Sequence, residues 1–383
     1  MHTWLNRQRY LIDYTLAAMA RQRAKNLGLL LVHGLLVFAL ASVMLLGSAL
    51  RQDAAQVLEG APDVVVQGLQ MGRHALSRSA DLERLQGLRG VQRAEGRLWG
   101  YLYDTSTAAN YTLQVPPGTA QAAGLRPEPG QVLIGEGVAR LRRLQAGQRL
   151  FLVAPSGEFL NLQVRAVLPQ ATAGFSTDLV LLAEADFRRF FQLAPDEFTD
   201  LALYVRNPKE VAKVAEKAGL ALRRHRIVTR ADLLRTYENL FSWREGLLLA
   251  LLGAAVLAFG ILAFDKASGL SAQERREIGV LKAVGWDTRD IIHMKLWEAG
   301  LVATTALLAG GLLAYLHVFL FGAPLLRPVL QGWSVLFPSV ALNPTVDGLQ
   351  LATLALLALL PYLVAIVIPI WRTAAADPDA VMR

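Results

Sequence analysis

The chain has 383 residues, 54% hydrophobic yet 18% charged, with 39 Lys and Arg against 31 Asp and Glu and no cysteine. Without cysteine there are no disulfide staples and no cysteine metal sites. The formal net charge of +8 does not argue for nucleic acid, because much of the basic excess stands beside long apolar runs.

Arg7, Arg9, Arg21, Arg23 and Lys25 precede the first apolar run, against the single acid Asp13. The positive-inside rule therefore places residues 1–26 in the cytoplasm. Leu27 to Leu50, Gly246 to Phe264, Ala299 to Leu326 and Gly348 to Trp371 contain no Asp, Glu, Lys or Arg. Each is long enough for a hydrocarbon core that needs roughly 20 apolar residues. Backbone amides find no water there, so each run is expected as a helix. Transmembrane helices are placed at 27–50, 246–265, 297–320 and 348–371. The first is too long for a signal-peptide core and reads as a retained anchor.

The charges gather in residues 51–245, a segment long enough for a folded exterior domain. Pro62 to Leu69 and Arg97 to Thr105 alternate as strands around a helix at Asp81 to Leu88, a β-α-β rhythm. Pro116, Pro117, Pro127 and Pro129 mark a composition change. Beyond them, residues 131–153 read as strand, short helix, Gly-containing turn and strand. Further strands fall in LQVRAVL, DLVLLAEADFRRFF and LALYVR, the second running into a helix, followed by a helix from Pro208 to Leu220. The expected fold is an α-helical membrane protein with four transmembrane helices plus a large extracytoplasmic α/β (mixed α+β) domain. Its halves are about 51–115 and 169–230, with a small β-rich insert at about 116–168. Residues 231–245 are apolar at spacings of three and four and are expected to run helically into the second span, either as a stalk or as an interfacial helix. Residues 51–60 can prolong the first span in the same way.

The loop 266–296 carries Lys266, Arg275, Arg276, Lys282, Arg289 and Lys295, whereas the loop 321–347 offers only Arg327. Both termini, including the tail 372–383, are therefore expected inside and the large domain outside. Ser271 and Glu274 fit a capping box, starting a helix that Gly285 ends. Ile278, Leu281 and Val284 make an apolar stripe widened by Val280, while Glu274, Arg275, Arg276 and Glu277 crowd the first turns as exposed charges. Asp287 and Asp290 can cap the next helix. On physical grounds alone a helix over 271–285 is more often a plain connector than a docking element.

ERREIGVLKAVGW, together with the tail IPIWRTAAADPDAVMR, resembles the FtsX-like permease family of MacB- and LolC-type ABC transporters. Glu274, Arg275, Glu277, Ile278, Gly279, Leu281, Lys282, Ala283 and Gly285 fit the family's E-R-x-x-E-I-G-x-L-(K/R)-A-x-G coupling helix. Ala375, Asp377, Pro378, Ala380 and Arg383 fit its C-terminal pattern, with Met382 where Leu is usual. The order of one span, a large exterior domain and three spans matches too. The resemblance implies ATPase-coupling residues Glu274, Arg275, Arg276, Glu277, Ile278, Leu281, Lys282 and Gly285, and a porter-like periplasmic unit interrupted by a β-rich insert. It also implies a bacterial inner-membrane location, two copies of an ABC ATPase, a second permease, identical or paralogous, and a periplasmic adaptor for some members.

The chain itself lacks a Gly-Lys step and so has no phosphate-cradling G-x-x-x-x-G-K-(S/T) loop. Nor does it carry an H-E-x-x-H motif, a G-x-S-x-G elbow or paired intramembrane Asp residues. It is therefore expected to be no enzyme, to hold no cofactor or metal, and to leave ATP and magnesium to the partner ATPase. His33 and His317 lie within spans, where a packing role is favoured over proton transfer. Gly253, Gly260, Gly300, Gly310 and Gly311 are expected to allow close helix approach, and Pro361 and Pro369 to bend the fourth span. The resulting expectation is a permease subunit that couples ATP hydrolysis to its exterior domain for export or extraction of a lipidic, lipoprotein, peptide or drug substrate. The alternative is an FtsX-type regulator of cell-wall hydrolases that transports nothing. A membrane sensor with no ATPase leaves the coupling segment unexplained.

Overall fold

The computed structural model describes residues 2–117, 126–169, 176–268, 272–328, 336, 344 and 347–375. The expected cap residue Ser271, the tail from Asp377 to Arg383 and the side chain of Arg275 lie outside the described parts. The chain forms two compact units. One comprises Met1–Ala49, Phe241–Pro324 and Asn343–Arg383, and the other Leu50–Leu240 and Leu325–Leu342.

From the N-terminus, α1 (His2–Arg21) and α2 (Arg23–Glu59) precede β1 (Val64–Gln70), α3 (Ser79–Gln86) and β2 (Val91–Arg97). Next come β3 (Trp99–Asp104), β4 (Ala109–Gln114), β5 (Gln131–Ile134), α4 (Glu136–Arg142), β6 (Arg149–Val153) and β7 (Phe159–Val167). They are followed by β8 (Leu179–Leu182), α5 (Glu184–Phe191), β9 (Asp200–Val205), α6 (Val211–Ala221) and β10 (His225–Thr229). The chain continues with α7 (Arg230–Ser268), α8 (Ala272–Ala283), α9 (Thr288–Tyr315) and α10 (Gly348–Ala375).

Four helices are long and apolar enough to cross a membrane, at Arg23–Asp53, Gly246–Asp265, Thr288–Leu320 and Gly348–Arg372. Together with the mixed α/β unit they give the expected fold class. The third span stops before its apolar run does. A π-helical turn, Leu316–Leu320, closes it, and Gly322 and Ala323 then take φ values of 64° and 52°, which no helix continues through.

In the second unit, one sheet runs β10-β1-β9-β2, with every neighbouring pair antiparallel. Since β1 and β2 flank β9, they are parallel to each other and α3 is their crossover. The pair β9 and β10 flanks β1 in the same manner with α6, giving two interlocked split β-α-β units. Val64, Val66, Leu85, Leu201, Leu203, Val214 and Ala218 form the core between sheet and helices.

The second sheet has the order β3-β4-β8-β5-β7-β6, with β4–β8 and β5–β7 parallel. Strict alternation dictates its buried side. In β6 and β7, Leu150, Leu152, Leu160, Leu162 and Val164 point inward to Phe187 and Phe190 of α5, while Phe151, Val153 and Phe159 remain exposed. This sheet is larger than the insert expected at 116–168. In sequence its strands run from Trp99 to Leu182, because the prolines at 116 and 117 fall in a connection inside the insertion and not at its start. The whole sheet is inserted between β2 and β9.

In the first unit, Phe259, Ala263, Ala299, Ala303, Tyr362, Ile366 and Ile370 form the core of the helix bundle. The outward positions, among them Leu27, Leu31, Leu257, Ile261, Leu308 and Leu312, are exposed apolar side chains suited to lipid. Of the expected close-packing glycines, Gly310 matters most. A Cβ there would stand 2.6 Å from the Gly34 carbonyl oxygen and 2.9 Å from Val37 Cβ, whereas Gly253, Gly300 and Gly311 have open space. Pro361 and Pro369 both lie inside α10.

Candidate functional site

The linker helix α8 ends as its sequence dictates. Gly285 takes φ 99°, the Trp286 N–H donates to Leu281 O (3.0 Å), and the Gly285 N–H donates to Lys282 O (3.0 Å). These are the two bonds of a Schellman cap, which needs a residue free to adopt the left-handed conformation.

The first turns of α8 turn inward. Glu274 is only 3% exposed, so it is not the surface charge expected from the sequence. A buried carboxylate needs partners, and Glu274 has two lysines. Lys25 Nζ of α2 donates to Glu274 Oε1 at 2.9 Å, and Lys295 Nζ of α9 lies 3.6 Å from the same oxygen. Lys295 also donates to Glu298 Oε2 at 2.8 Å. These residues, with Asn26 and Tyr362, line part of a mainly apolar cavity of about 70 Å³ at which α2, α7, α8, α9 and α10 all meet.

One turn along, Glu277 accepts from Tyr14 Oη (2.9 Å) and pairs with Arg21, both on α1. Burial, and then the neighbouring Glu277 carboxylate, raise the Tyr14 phenol above its usual range. Ile278 and Leu281 complete the inward face, Ile278 packing on Ile291 and Ile292.

The outward face is different. Arg276 is exposed, as are Val280 (53%), Val284 (76%) and Gly285, while Lys282 is half-buried. The stripe predicted as continuous is thus divided, Ile278 and Leu281 facing the protein and Val280 and Val284 facing away.

Sequence reasoning missed α1 as a helix and with it Tyr14, Arg21, Lys25 and Lys295 as partners of α8. Leu11, Tyr14, Thr15 and Ala18 recur at spacings of three and four, and that pattern was the available signal. Leu11 and Thr15 are buried, and Thr15 Oγ1 donates to Leu11 O (2.7 Å). Arg7 forms a two-pronged pair with Asp290 (2.6 and 2.7 Å), and Trp297 Nε1 donates to Gln8 Oε1 (2.9 Å). The helix α1 is therefore fastened beside α8 and α9 along its length.

The two span histidines join helices. His33 Nε2 lies 3.1 Å from Ala358 O, with its ring against both Phe259 and Tyr362 (centroids 4.7 and 5.0 Å), and His317 Nδ1 lies 3.2 Å from Ser42 Oγ. Among the described residues no three His, Asp or Glu side chains come together as metal ligands.

In the second unit a buried polar cluster sits where the inserted sheet departs. Arg97 grips Asp200 through Nε and Nη2 (both 2.6 Å), and Trp99 Nε1 donates to the same carboxylate at 2.9 Å. A two-pronged guanidinium–carboxylate pair fixes orientation as well as charge. With Asp200 buried and three donors converging on its carboxylate, the cluster holds the fold.

The segment that contains α8 and its three neighbouring spans has a known relative. Residues 246–378 match the family model described as FtsX-like permease C-terminal. The FtsX-like domain therefore takes in α8, α9, α10 and the membrane part of α7, while α1, α2 and the whole second unit precede it. No curated protein matches the chain. Among solved structures, the chain is similar to the extracellular domain of the noncanonic ABC-type transporter YknZ from Gram-positive bacteria, at 12% identity and a TM-score of 0.30. That likeness covers 43% of this chain and 99% of the YknZ domain.

Proposed function

We propose that this chain is the membrane subunit of an ABC system of the MacB/LolC type, in which a separate ATPase pushes on α8 and the motion reaches the second unit. The observation that carries this reading is the buried Glu274, held between Lys25 of the first span and Lys295 at the start of the third. A helix joined by ion pairs to two spans cannot shift without pulling on both. The cavity beside Glu274 gives these side chains room to shift as it moves. The FtsX-like domain supports the same reading, since its family works with ABC ATPases.

On this reading the N-terminus, α8 and the tail face the cytoplasm and the second unit lies outside the inner membrane. The unbroken helices α2 and α7 serve as its stalks. Two such subunits, identical or paralogous, pair with two ATPases, which supply the ATP and magnesium sites. A lipidic, lipoprotein, peptide or drug substrate, with or without a periplasmic adaptor, is handled by the outer unit. The insertion of a complete six-stranded sheet between β2 and β9 favours this over a regulator of cell-wall hydrolases, because the family's transporters carry such a divided outer unit.

The test is purification of the full chain from its native membrane. An ABC ATPase should co-purify, and its ATP hydrolysis should respond to the subunit and lose that response in Glu274→Gln. No co-purifying ATPase, with normal activity in a strain lacking one, overturns the reading.

A further inference from the structure

The residues around the outward face of α8 are sorted by partner in a way the coupling motif alone does not dictate. The carboxylates Glu274, Glu277 and Asp290 are all engaged inward, by Lys25 and Lys295, by Arg21 and Tyr14, and by Arg7. Of the cations, Arg9, Arg276 and Arg289 are exposed and make no ion pair among the described residues, with Asp13 and Asp287 the exposed acids nearby. On the same face of α8 as Arg276, Val280 and Val284 are apolar and more than half exposed.

Beside them α1 contributes its own exposed aromatic, Tyr10 (74%). An open groove of about 480 Å³ runs between α1 and the turn after α8, lined by Asn6, Tyr10, Leu11, Gly285 and Trp286 and floored by the Arg7–Asp290 pair. Trp286 also packs on Tyr14 of α1, with ring centroids 5.3 Å apart. The groove is built by side chains that hold α1 in place, so its two walls move as one body.

We propose that α1 supplies half of the surface on which the ATPase docks, and that the partner offers an apolar knob for the Tyr10–Trp286 groove and an acidic rim for Arg9, Arg276 and Arg289. This rests on the reading of the chain as an ABC subunit and adds to it a second docking element and the chemistry of its counterpart. Apolar centres with aromatic anchors carry the affinity of such surfaces, and rim charges set their specificity and salt dependence. An acidic partner rim fits because the inward ion pairs leave an excess of positive charge facing out.

The test uses the full chain in its native membrane, with photo-reactive benzoylphenylalanine placed singly at Tyr10, at Val284 and, as a control, at Leu257 in the second span. The expected result is a crosslink to the ABC ATPase from both Tyr10 and Val284 and none from Leu257. A crosslink from Val284 alone overturns the shared surface while leaving the proposed function intact. No ATPase crosslink from either position overturns both. In parallel, Arg276→Glu with Arg289→Glu should weaken the purified complex by about tenfold and flatten its salt dependence. Unchanged affinity and an unchanged salt response would overturn the acidic rim.

Discussion

Glu274 and Lys25 are 249 residues apart in sequence and joined by a 2.9 Å hydrogen bond inside the helix bundle. The linker helix is thereby anchored to the first span by a charge that water barely reaches. Replacement of Glu274 by Gln keeps the shape and removes the charge that both Lys25 and Lys295 face. The expected loss is about 1–3 kcal/mol of stability, as for a charged hydrogen-bond partner removed from a buried site. The measurement is the thermal midpoint of the full chain in detergent, and Lys25→Met in the same background should recover part of the loss. Reversal to Lys at 274 and 277 is expected to destabilise as well, since it sets one lysine against Lys25 and Lys295 and the other against Arg21.

Asp200 is fully buried and gripped by Arg97 and Trp99. Asp200→Asn leaves the guanidinium without its counter-charge and should cost roughly 3–5 kcal/mol. Unfolding followed by tryptophan fluorescence reports it, because the Trp99 indole is hydrogen-bonded to the altered side chain. A loss below half a kilocalorie would mean the pair is dispensable.

Gly285→Ala forces an L-residue into the left-handed region in otherwise open space, so only conformational strain is added. The cost should be about 1–2 kcal/mol, felt in the turn that carries Trp286. Ala in this position should therefore lower ATPase response more than it lowers the global thermal midpoint. Gly310→Leu acts differently. Its side chain would run into Gly34 and Val37 of the first span, and overpacking of this kind costs about 1–3 kcal/mol, read as a lowered midpoint in the full chain.

His225 on β10 is largely enclosed, with both ring nitrogens lacking a hydrogen bond among the described residues and Asp81 Oδ2 3.7 Å away. Burial lowers its pKa, and the attraction of Asp81 only partly opposes that. Above the ordinary imidazole value of about 6.5, folded and unfolded chains are both neutral here and the full stability is present. As pH falls through that value the unfolded chain takes up its proton first, so stability declines until the folded ring protonates as well. Thermal midpoints measured between pH 8 and pH 5 should show this decline, and His225→Leu should remove part of it. An unchanged pH profile in the variant would assign the decline to other groups.

The spans and strands were legible because hydrocarbon and pleated sheet each impose a pattern on their residues. Uncharged runs fixed the four long helices, and alternation fixed Arg149–Val153 and Phe159–Val167. The cap at Gly285 was readable for the same local reason. Pairings were not readable. Nothing near Glu274 in sequence names Lys25 or Lys295 as its partners, so a charge in a linker was taken for a surface charge. The helix α1 was hidden by its arginines, which serve as topology signals and as clasps on Asp290 and Glu277 together. The inserted sheet was underestimated because its first two strands continue the alternation of the strand before them, with only Leu98 between β2 and β3.

The inserted sheet leaves its host at Arg97 and returns at Asp200, and the two ends are stitched to each other: the Thr199 N–H donates to Arg97 O at 2.9 Å and the Trp99 N–H to Thr199 Oγ1 at 3.1 Å. Entry and exit thus share one doorway in the parent fold. A module attached in this way behaves as a cassette, free to be enlarged, exchanged or lost while the frame that carries it keeps its own shape.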